Sequence, residues 1–313
     1  MSAPTRKLRI ATRESRLAMR QAEMVSAELA AGHPGLAIEI VGMTTRGDRV
    51  LDRPLSQVGG KGLFVKELEV ALDEGRADIA VHSMKDVPMQ IPGTFALATF
   101  GPREDAGDAF VSGRFASLDA LPAGARVGTS SLRRECQLRS RYPRLEFLPL
   151  RGNVYTRLAK LDAGDYDAII LAVAGLKRLG LGERVRAVLA PELALPAIAQ
   201  GILAVEYPAA RTDIQALLAP FEHAPTACAA RAERSLGLVV EGSCEVPVGA
   251  FARISGDTIS LEGFIGMPDG TRIVKDRASG RCADAAALGR ALGERLLKAG
   301  GREILEDLAR AKA

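Results

Sequence analysis

Val127-Gly128-Thr129-Ser130-Ser131-Leu132-Arg133-Arg134 is the stretch on which the fold turns. Ala125-Arg126-Val127-Gly128 reads as the end of a strand, and the helical pattern beginning at Leu132 runs on to Arg141. Between them stand three hydroxyl residues, the side chains best suited to the free N–H groups of a helix's first turn. A strand that turns directly into a capped helix is half of a βαβ unit, so the string argues for an α/β protein. The same turn gathers N–H groups, hydroxyls and two arginines at one place, a combination suited to a carboxylate or phosphate. A routine Ser/Thr cap with solvated arginines would read the same way. The string therefore decides the fold class and leaves the ligand open.

Short apolar runs alternate with helical patterns on either side of it. Leu8-Arg9-Ile10-Ala11, Ala37-Ile38-Glu39-Ile40-Val41, Asp78-Ile79-Ala80-Val81 and Ala168-Ile169-Ile170-Leu171-Ala172 read as strands, and 16–31, 63–74, 132–141 and 154–163 as helices. The pattern changes character at 101–106 and again at 195–200. The segment between reads as an insertion into the first domain, and its two crossings as a hinge. The expected organisation is α/β: a first domain of residues 1–101 and 202–219, a second of 107–195, and a smaller α+β domain of 222–313. In the last, a helix over 227–236 leads to a cysteine loop, strands follow at 250–254 and 258–261, and Asp284 is placed to cap a helix over 285–298.

Composition narrows the function. With 313 residues, 47% hydrophobic and 26% charged, the chain can build two or three cores, and disorder is excluded. Met1 to Arg9 is basic and runs into Ile10-Ala11 without an apolar signal segment, and no stretch is apolar enough to span a bilayer. A cytoplasmic monomer without membrane contact is expected. Cys136, Cys228, Cys244 and Cys282 form no CxxC pair, and His33, His82 and His223 lie far apart, so neither a disulfide framework nor a metal site is suggested. The net charge of +4 is unevenly spread, with Arg133, Arg134, Arg139, Arg141, Arg144, Arg151 and Arg157 crowded together. Aromatics make up 4% with no tryptophan, which leaves few platforms for stacking bases. Small carboxylates or phosphates fit the arginines better than nucleic acid does.

Three further loops carry candidate chemistry. Arg151-Gly152-Asn153-Val154, with Arg157 a turn later, ends the next strand, so two strand ends offer arginine at the crevice where open α/β sheets bind ligands. Val58-Gly59-Gly60-Lys61-Gly62-Leu63-Phe64 lacks the spacing of an ATP-binding loop. It reads either as a surface turn or as a glycine loop whose Lys61 closes over an anion. His82-Ser83-Met84-Lys85-Asp86-Val87-Pro88 sets a lysine beside an aspartate at a strand end. Asp86 is either part of a solvated turn or, as the one carboxylate among many cations, a catalytic group. In Glu241-Gly242-Ser243-Cys244-Glu245 both acids disfavour the thiolate. Cys244 is therefore either a small apolar filler or a sulfur suited to one permanent bond rather than to repeated turnover.

Taken together, these strings resemble one family. Arg13-Glu14-Ser15-Arg16-Leu17-Ala18, Gly59-Gly60-Lys61-Gly62-Leu63-Phe64, the His82–Pro88 and Gly128–Arg134 strings, Arg151-Gly152-Asn153-Val154, Leu171-Ala172-Val173-Ala174-Gly175-Leu176 and Gly242-Ser243-Cys244 follow, in order, the motifs of the porphobilinogen deaminases, or hydroxymethylbilane synthases. The resemblance covers nearly the whole chain. It implies two domains like those of periplasmic binding proteins, separated by a cleft, and a third smaller domain. It also implies a deaminating transferase of porphyrin and haem biosynthesis that joins four porphobilinogen molecules head to tail and releases hydroxymethylbilane, which a cyclising synthase then takes up.

The implied cofactor is dipyrromethane, held by a thioether to Cys244. Lys85, Asp86, Thr129, Ser130, Ser131, Arg133 and Arg134 are its expected binding residues, and Arg13, Ser15, Arg151, Arg157, Arg178 and Gln200 those of the substrate. Asp86 is the expected catalytic group, and Lys61 and Phe64 belong to the active-site loop. Each pyrrole brings an acetate and a propionate, which accounts for the arginine cluster without nucleic acid. The chain departs from the family in two places. Ala199-Gln200-Gly201-Ile202-Leu203 stands for the usual Gly-Gln-Gly-Ala-Leu, which predicts altered backbone near Gln200. Ala106-Gly107 replaces Pro-Arg after Arg103-Glu104-Asp105, which predicts a looser linker. A carboxylate-binding protein without catalysis would share the arginines and strand-end loops, yet has no use for Cys244 or Asp86.

Overall fold

The computed structural model describes residues 7–45, 47, 62–240 and 246–311. Within them the chain forms two five-stranded sheets and one of three strands. The first sheet has the order β2-β1-β3-β10-β4, with β1 Lys7–Arg13, β2 Ala37–Met43, β3 Ile79–Ser83, β4 Phe95–Phe100 and β10 Leu203–Pro208. β1 is parallel to β2 and β3, and β10 is antiparallel to β3 and β4. The second sheet, β7-β6-β8-β5-β9, repeats that plan with β5 Asp108–Val111, β6 Arg126–Gly128, β7 Glu146–Leu148, β8 Ala168–Ala172 and β9 Ala187–Leu189. Here β6 is parallel to β7 and β8, and β5 is antiparallel to β8 and β9.

The helices between strands are α1 Arg16–Gly32, α2 Lys66–Asp73, α3 Leu132–Arg141, α4 Val154–Asp162, α5 Val173–Arg178 and α6 Thr212–Leu218. α1, α3 and α4 start where hydroxyl or amide side chains satisfy their free N–H groups: Ser15 accepts from Ala18, Ser131 from Arg134 and Asn153 from Thr156. The apolar strand faces pack beneath them. Leu8, Ile10, Ile79 and Val205 are fully buried in one sheet, and Val127, Ile169 and Ile170 in the other. Each such side chain contributes about 1.5–3 kcal/mol by leaving water.

The chain leaves the first sheet after β4, lays down the second, and returns as β10. The two crossings touch, the Glu104 N–H donating to Gly201 O at 3.1 Å. The predicted loosening at Gly107 is not found. This glycine is buried, its N–H donates to Asp105 Oδ1 at 2.8 Å, and a Cβ there would lie 2.6 Å from the Val188 side chain.

The third sheet is an antiparallel meander of β11 Val248–Ser255, β12 Thr258–Gly266 and β13 Ile273–Arg281. It is covered by α7 Ala224–Val239 and α8 Ala285–Leu296. These two helices touch backbone to backbone, since a Cβ on Gly289 would sit 2.1 Å from Ala232 O. Asp284 stands before α8 but makes no capping bond, and a further helix, α9 Arg302–Arg310, follows a kink at Gly300. The architecture is thus mixed α/β, two sheet-containing domains and a smaller C-terminal one, as the sequence predicts. Among the described residues no helix is long and apolar enough to cross a membrane.

Candidate active site

β1 and β3 lie side by side and parallel, so their ends bring Arg13 and Ser15 next to Ser83, Lys85 and Asp86. A small pocket there is lined by Arg13, Ser15, Phe64, His82, Ser83 and Asp86. The Arg13 guanidinium lies 4.1 Å over the Phe64 ring, which turns its donor edge along the wall. Asp86 is exposed on this wall. Lys85 takes another direction, as adjacent side chains of a short 3-10 turn must, and donates to Gln200 Oε1 at 3.1 Å. Burial pushes its ammonium down to about 8, against the pull of Asp86. Under the pocket floor His82 Nε2 lies 3.0 Å from Glu206 Oε2, both side chains buried.

Across the cleft the parallel neighbours β6 and β7 end in the hydroxyl run and in Arg151. Ser130 Oγ donates to Leu150 O at 2.8 Å and accepts the Leu150 N–H at 2.9 Å, tying the two strand ends together. Thr129 Oγ1 accepts the Ser131 N–H, which fixes the turn. Arg133 and Arg134 are not solvated. Both fold inward onto Asp108, a fully buried carboxylate, with Arg133 Nη1 at 2.8 Å from Oδ2 and Arg134 Nη2 at 2.8 Å from Oδ1. Burial alone would raise the Asp108 pKa, yet the two guanidiniums hold it well below the usual carboxylate range. Asp86 is therefore not the one carboxylate among the cations, which corrects the sequence reading.

The remaining arginines are desolvated as well. Arg157 donates to Gly152 O at 2.8 Å and is pushed down to about 10 by burial and by Arg134 and Arg151. Arg178 donates to Gly201 O at 2.7 Å and is likewise pushed to about 10 by burial. Burial also lowers Arg151. Gln200 sits where the crossings meet, its amide nitrogen donating to Ala106 O at 2.7 Å and to Asp108 Oδ1 at 2.9 Å. Ala199, just before it, has φ 58°, in the left-handed region that favours glycine and costs an alanine strain.

Sequence reasoning missed what holds these parts in register. Glu233 on α7 is fully buried and binds Arg103 Nη1 at 2.5 Å, the Ala199 N–H at 2.6 Å and the Ala252 N–H at 2.8 Å. Its neighbour Arg234 donates to the carbonyls of Val87, Pro88 and Met89, at 3.4, 2.8 and 2.9 Å, and so braces the loop that follows Asp86. One helix thus grips the hinge with one residue and the Asp86 loop with the next. Lys61 and Cys244 lie outside the described residues; α7 ends at Val239, shortly before that cysteine.

Six cations, Arg13, Lys85, Arg133, Arg134, Arg151 and Arg157, gather around two carboxylates, Asp86 and Asp108, while Arg178 stands at the hinge. Arg133 Nε is moreover a buried donor with no protein acceptor. Such an excess of desolvated positive charge fits a polycarboxylate such as dipyrromethane.

Fold and site together define a mixed α/β protein of two sheet-containing domains and a smaller C-terminal one, with buried arginines gathered at the strand ends of the second sheet. A family model described as porphobilinogen deaminase, dipyromethane cofactor binding domain, matches residues 8–216, and one for the C-terminal domain of the same enzymes matches residues 227–298. The porphobilinogen deaminase of Burkholderia thailandensis is 59% identical over 309 residues, 98% of this chain and 94% of its relative. That of Chromobacterium violaceum is 57% identical over 299 residues, 96% and 97% of the two chains. A periplasmic substrate-binding protein of an ABC transporter from Coxiella burnetii aligns with TM-score 0.44 and 13% identity, over 72% of this chain and 96% of that one. The chain belongs to the porphobilinogen deaminase family, enzymes that polymerise porphobilinogen into hydroxymethylbilane in tetrapyrrole biosynthesis with a dipyrromethane cofactor.

Proposed function

We propose that this chain condenses four porphobilinogen molecules head to tail at the Asp86 wall, with loss of ammonia at each step, and releases the product by hydrolysis. It does so as a cytoplasmic monomer that passes hydroxymethylbilane to a cyclising synthase. Its working units are residues 1–101 with 202–219, residues 107–195, and residues 222–313, the last bearing Cys244. Dipyrromethane, joined to Cys244 through a thioether, supplies the free pyrrole α-carbon that attacks each incoming unit, so the protein needs no nucleophile of its own.

The side chains divide the remaining work. Lys85, Arg133 and Arg134 neutralise carboxylates of the cofactor, and Thr129, Ser130 and Ser131 offer hydroxyl and N–H donors at the start of α3. Arg13, Ser15, Arg151, Arg157 and Arg178 hold carboxylates of the incoming unit and of the lengthening chain. Gln200 orients Lys85 by accepting its ammonium's hydrogen bond at the side-chain amide oxygen. Loss of ammonia leaves a methylene-pyrrole cation on the substrate, and Asp86 is the fixed negative group that steadies it at the pyrrole N–H.

The observation that carries this reading is the exposed Asp86 carboxylate on a pocket wall shared with Arg13 and Ser15. Once bound substrate excludes water from this wall, a preorganised charge there contributes roughly 3–4 kcal/mol to the transition state. Asp86→Asn, compared with the parent as cofactor-loaded protein, should therefore lose about a hundredfold or more in kcat while porphobilinogen binding changes far less. Near-normal turnover by that variant would leave Asp86 a turn residue and remove the proposal's centre.

A further inference from the structure

A cavity of about 550 Å3 opens between the first turns of α1 and the helices α4 and α5. It shares no lining residue with the Asp86 pocket, because alternate residues at the start of α1 face the two: Arg13 and Ser15 one way, Glu14 and Arg16 the other. Four cations, Arg16, Arg20, Lys177 and Arg178, line it against two carboxylates, Glu14 and Glu23. Arg20 is paired with Glu23 at 3.4 Å and Lys177 with Glu104 at 3.0 Å, while Glu14 accepts the Thr44 hydroxyl. Arg178 stays charged at neutral pH, having been pushed down only to about 10, and is bonded to a hinge carbonyl.

Arg16 is different, since among the described residues it has no carboxylate or carbonyl partner. Its guanidinium lies 4.7 Å over the ring of Tyr155. Arg16 belongs to α1 of the first α/β domain and Tyr155 to α4 of the second, so this stack spans the cleft. A stacked guanidinium is held by its face and keeps its edge N–H groups for a planar anion. Fixing the side chain in advance also lowers the entropic cost of binding.

The product gains an acetate and a propionate with every unit, whereas the Asp86 pocket measures only about 40 Å3. The wider cavity falls within the roughly 300–1,000 Å3 of small-molecule sites. We propose that it is a carboxylate site for the later units of the growing chain, with Arg16 on Tyr155 as its reader and Arg178 at its hinge end. The site rests on the proposed function and adds residues that reading does not use.

The test compares Arg16→Gln, Arg16→Lys and Tyr155→Leu with the parent. Intact mass after timed porphobilinogen addition counts the units added. The third and fourth additions should slow by roughly tenfold relative to the first in Arg16→Gln, the loss expected of one charged hydrogen-bond partner. Tyr155→Leu and Arg16→Lys should fall between. Independently of turnover, benzene-1,3,5-tricarboxylate titrated calorimetrically into Cys244→Ser protein should bind more weakly, by a similar factor, once Arg16→Gln is added. A parental ratio of late to first additions together with parental tricarboxylate affinity overturns the site alone. A parent chain that adds no porphobilinogen overturns the enzymatic reading and the site with it.

Discussion

Asp108→Asn should destabilise the protein by an amount that depends on whether the cofactor is present. The substitution keeps the shape of the side chain and removes the negative charge that Arg133 and Arg134 share at 2.8 Å each. Their remaining protein acceptors are neutral, Leu195 O at 2.6 Å for Arg133 and Ile170 O at 2.9 Å for Arg134. Both guanidiniums would then sit side by side, almost fully buried. Stranding a buried charge in this way costs about 3–5 kcal/mol, a large part of the ~5–15 kcal/mol that keeps a domain folded. In Cys244→Ser protein, which should lack the cofactor, the whole loss should appear in the urea midpoint at neutral pH. In cofactor-loaded protein, on the proposed reading, the pyrrole carboxylates should partner the same arginines and recover about 1.5–3 kcal/mol of it. The acid limb gives a second reading. Because the folded Asp108 pKa is depressed, its stabilisation is complete above the unfolded value of about 3.9 and is lost as pH falls through the folded value, so the variant should lose stability less steeply below pH 4. A loss under about 1 kcal/mol without cofactor would mean that Asp108 does not hold the two guanidiniums, and equal losses in both forms that the cofactor does not reach them.

Two other substitutions test the frame around the site. Ala199→Gly should raise stability by up to about 1 kcal/mol, since a left-handed alanine costs about 1–2 kcal/mol and the glycine returns about 0.4–1 kcal/mol in chain entropy; a lower urea midpoint would contradict this. Arg234→Leu should lower kcat by about tenfold with a smaller change in KM and with the cofactor mass still present, because the Pro88 and Met89 carbonyls lose their brace. Unchanged kcat would reduce Arg234 to a packing residue.

Local patterns made the fold class legible. Alternating apolar runs and hydroxyl caps located β1, β6, β8, α1 and α3 to within a few residues, because those signals lie within one element. β5 escaped notice, being a short run that opens on an aspartate and is buried on both faces, so that no alternation marks it. The buried carboxylates escaped for a different reason. Asp108 meets Arg134 across 26 residues of sequence, Glu206 meets His82 across 124 and Glu233 meets Arg103 across 130, and no local spacing encodes such pairs. The site arginines were visible as a cluster, but their inward folding onto Asp108 was not, since composition does not distinguish a solvated guanidinium from a desolvated one.

The most direct measurement is the intact mass of denatured protein, wild type and Cys244→Ser, before and after porphobilinogen is added. The wild type should be heavier than its sequence by two pyrrole units, with the extra mass on the peptide that holds Cys244, and should gain further steps of one porphobilinogen less one ammonia when substrate is present. Cys244→Ser should show the bare sequence mass throughout. A wild type at its bare sequence mass, or a cofactor-sized increment on Cys244→Ser, would mean that Cys244 carries no dipyrromethane.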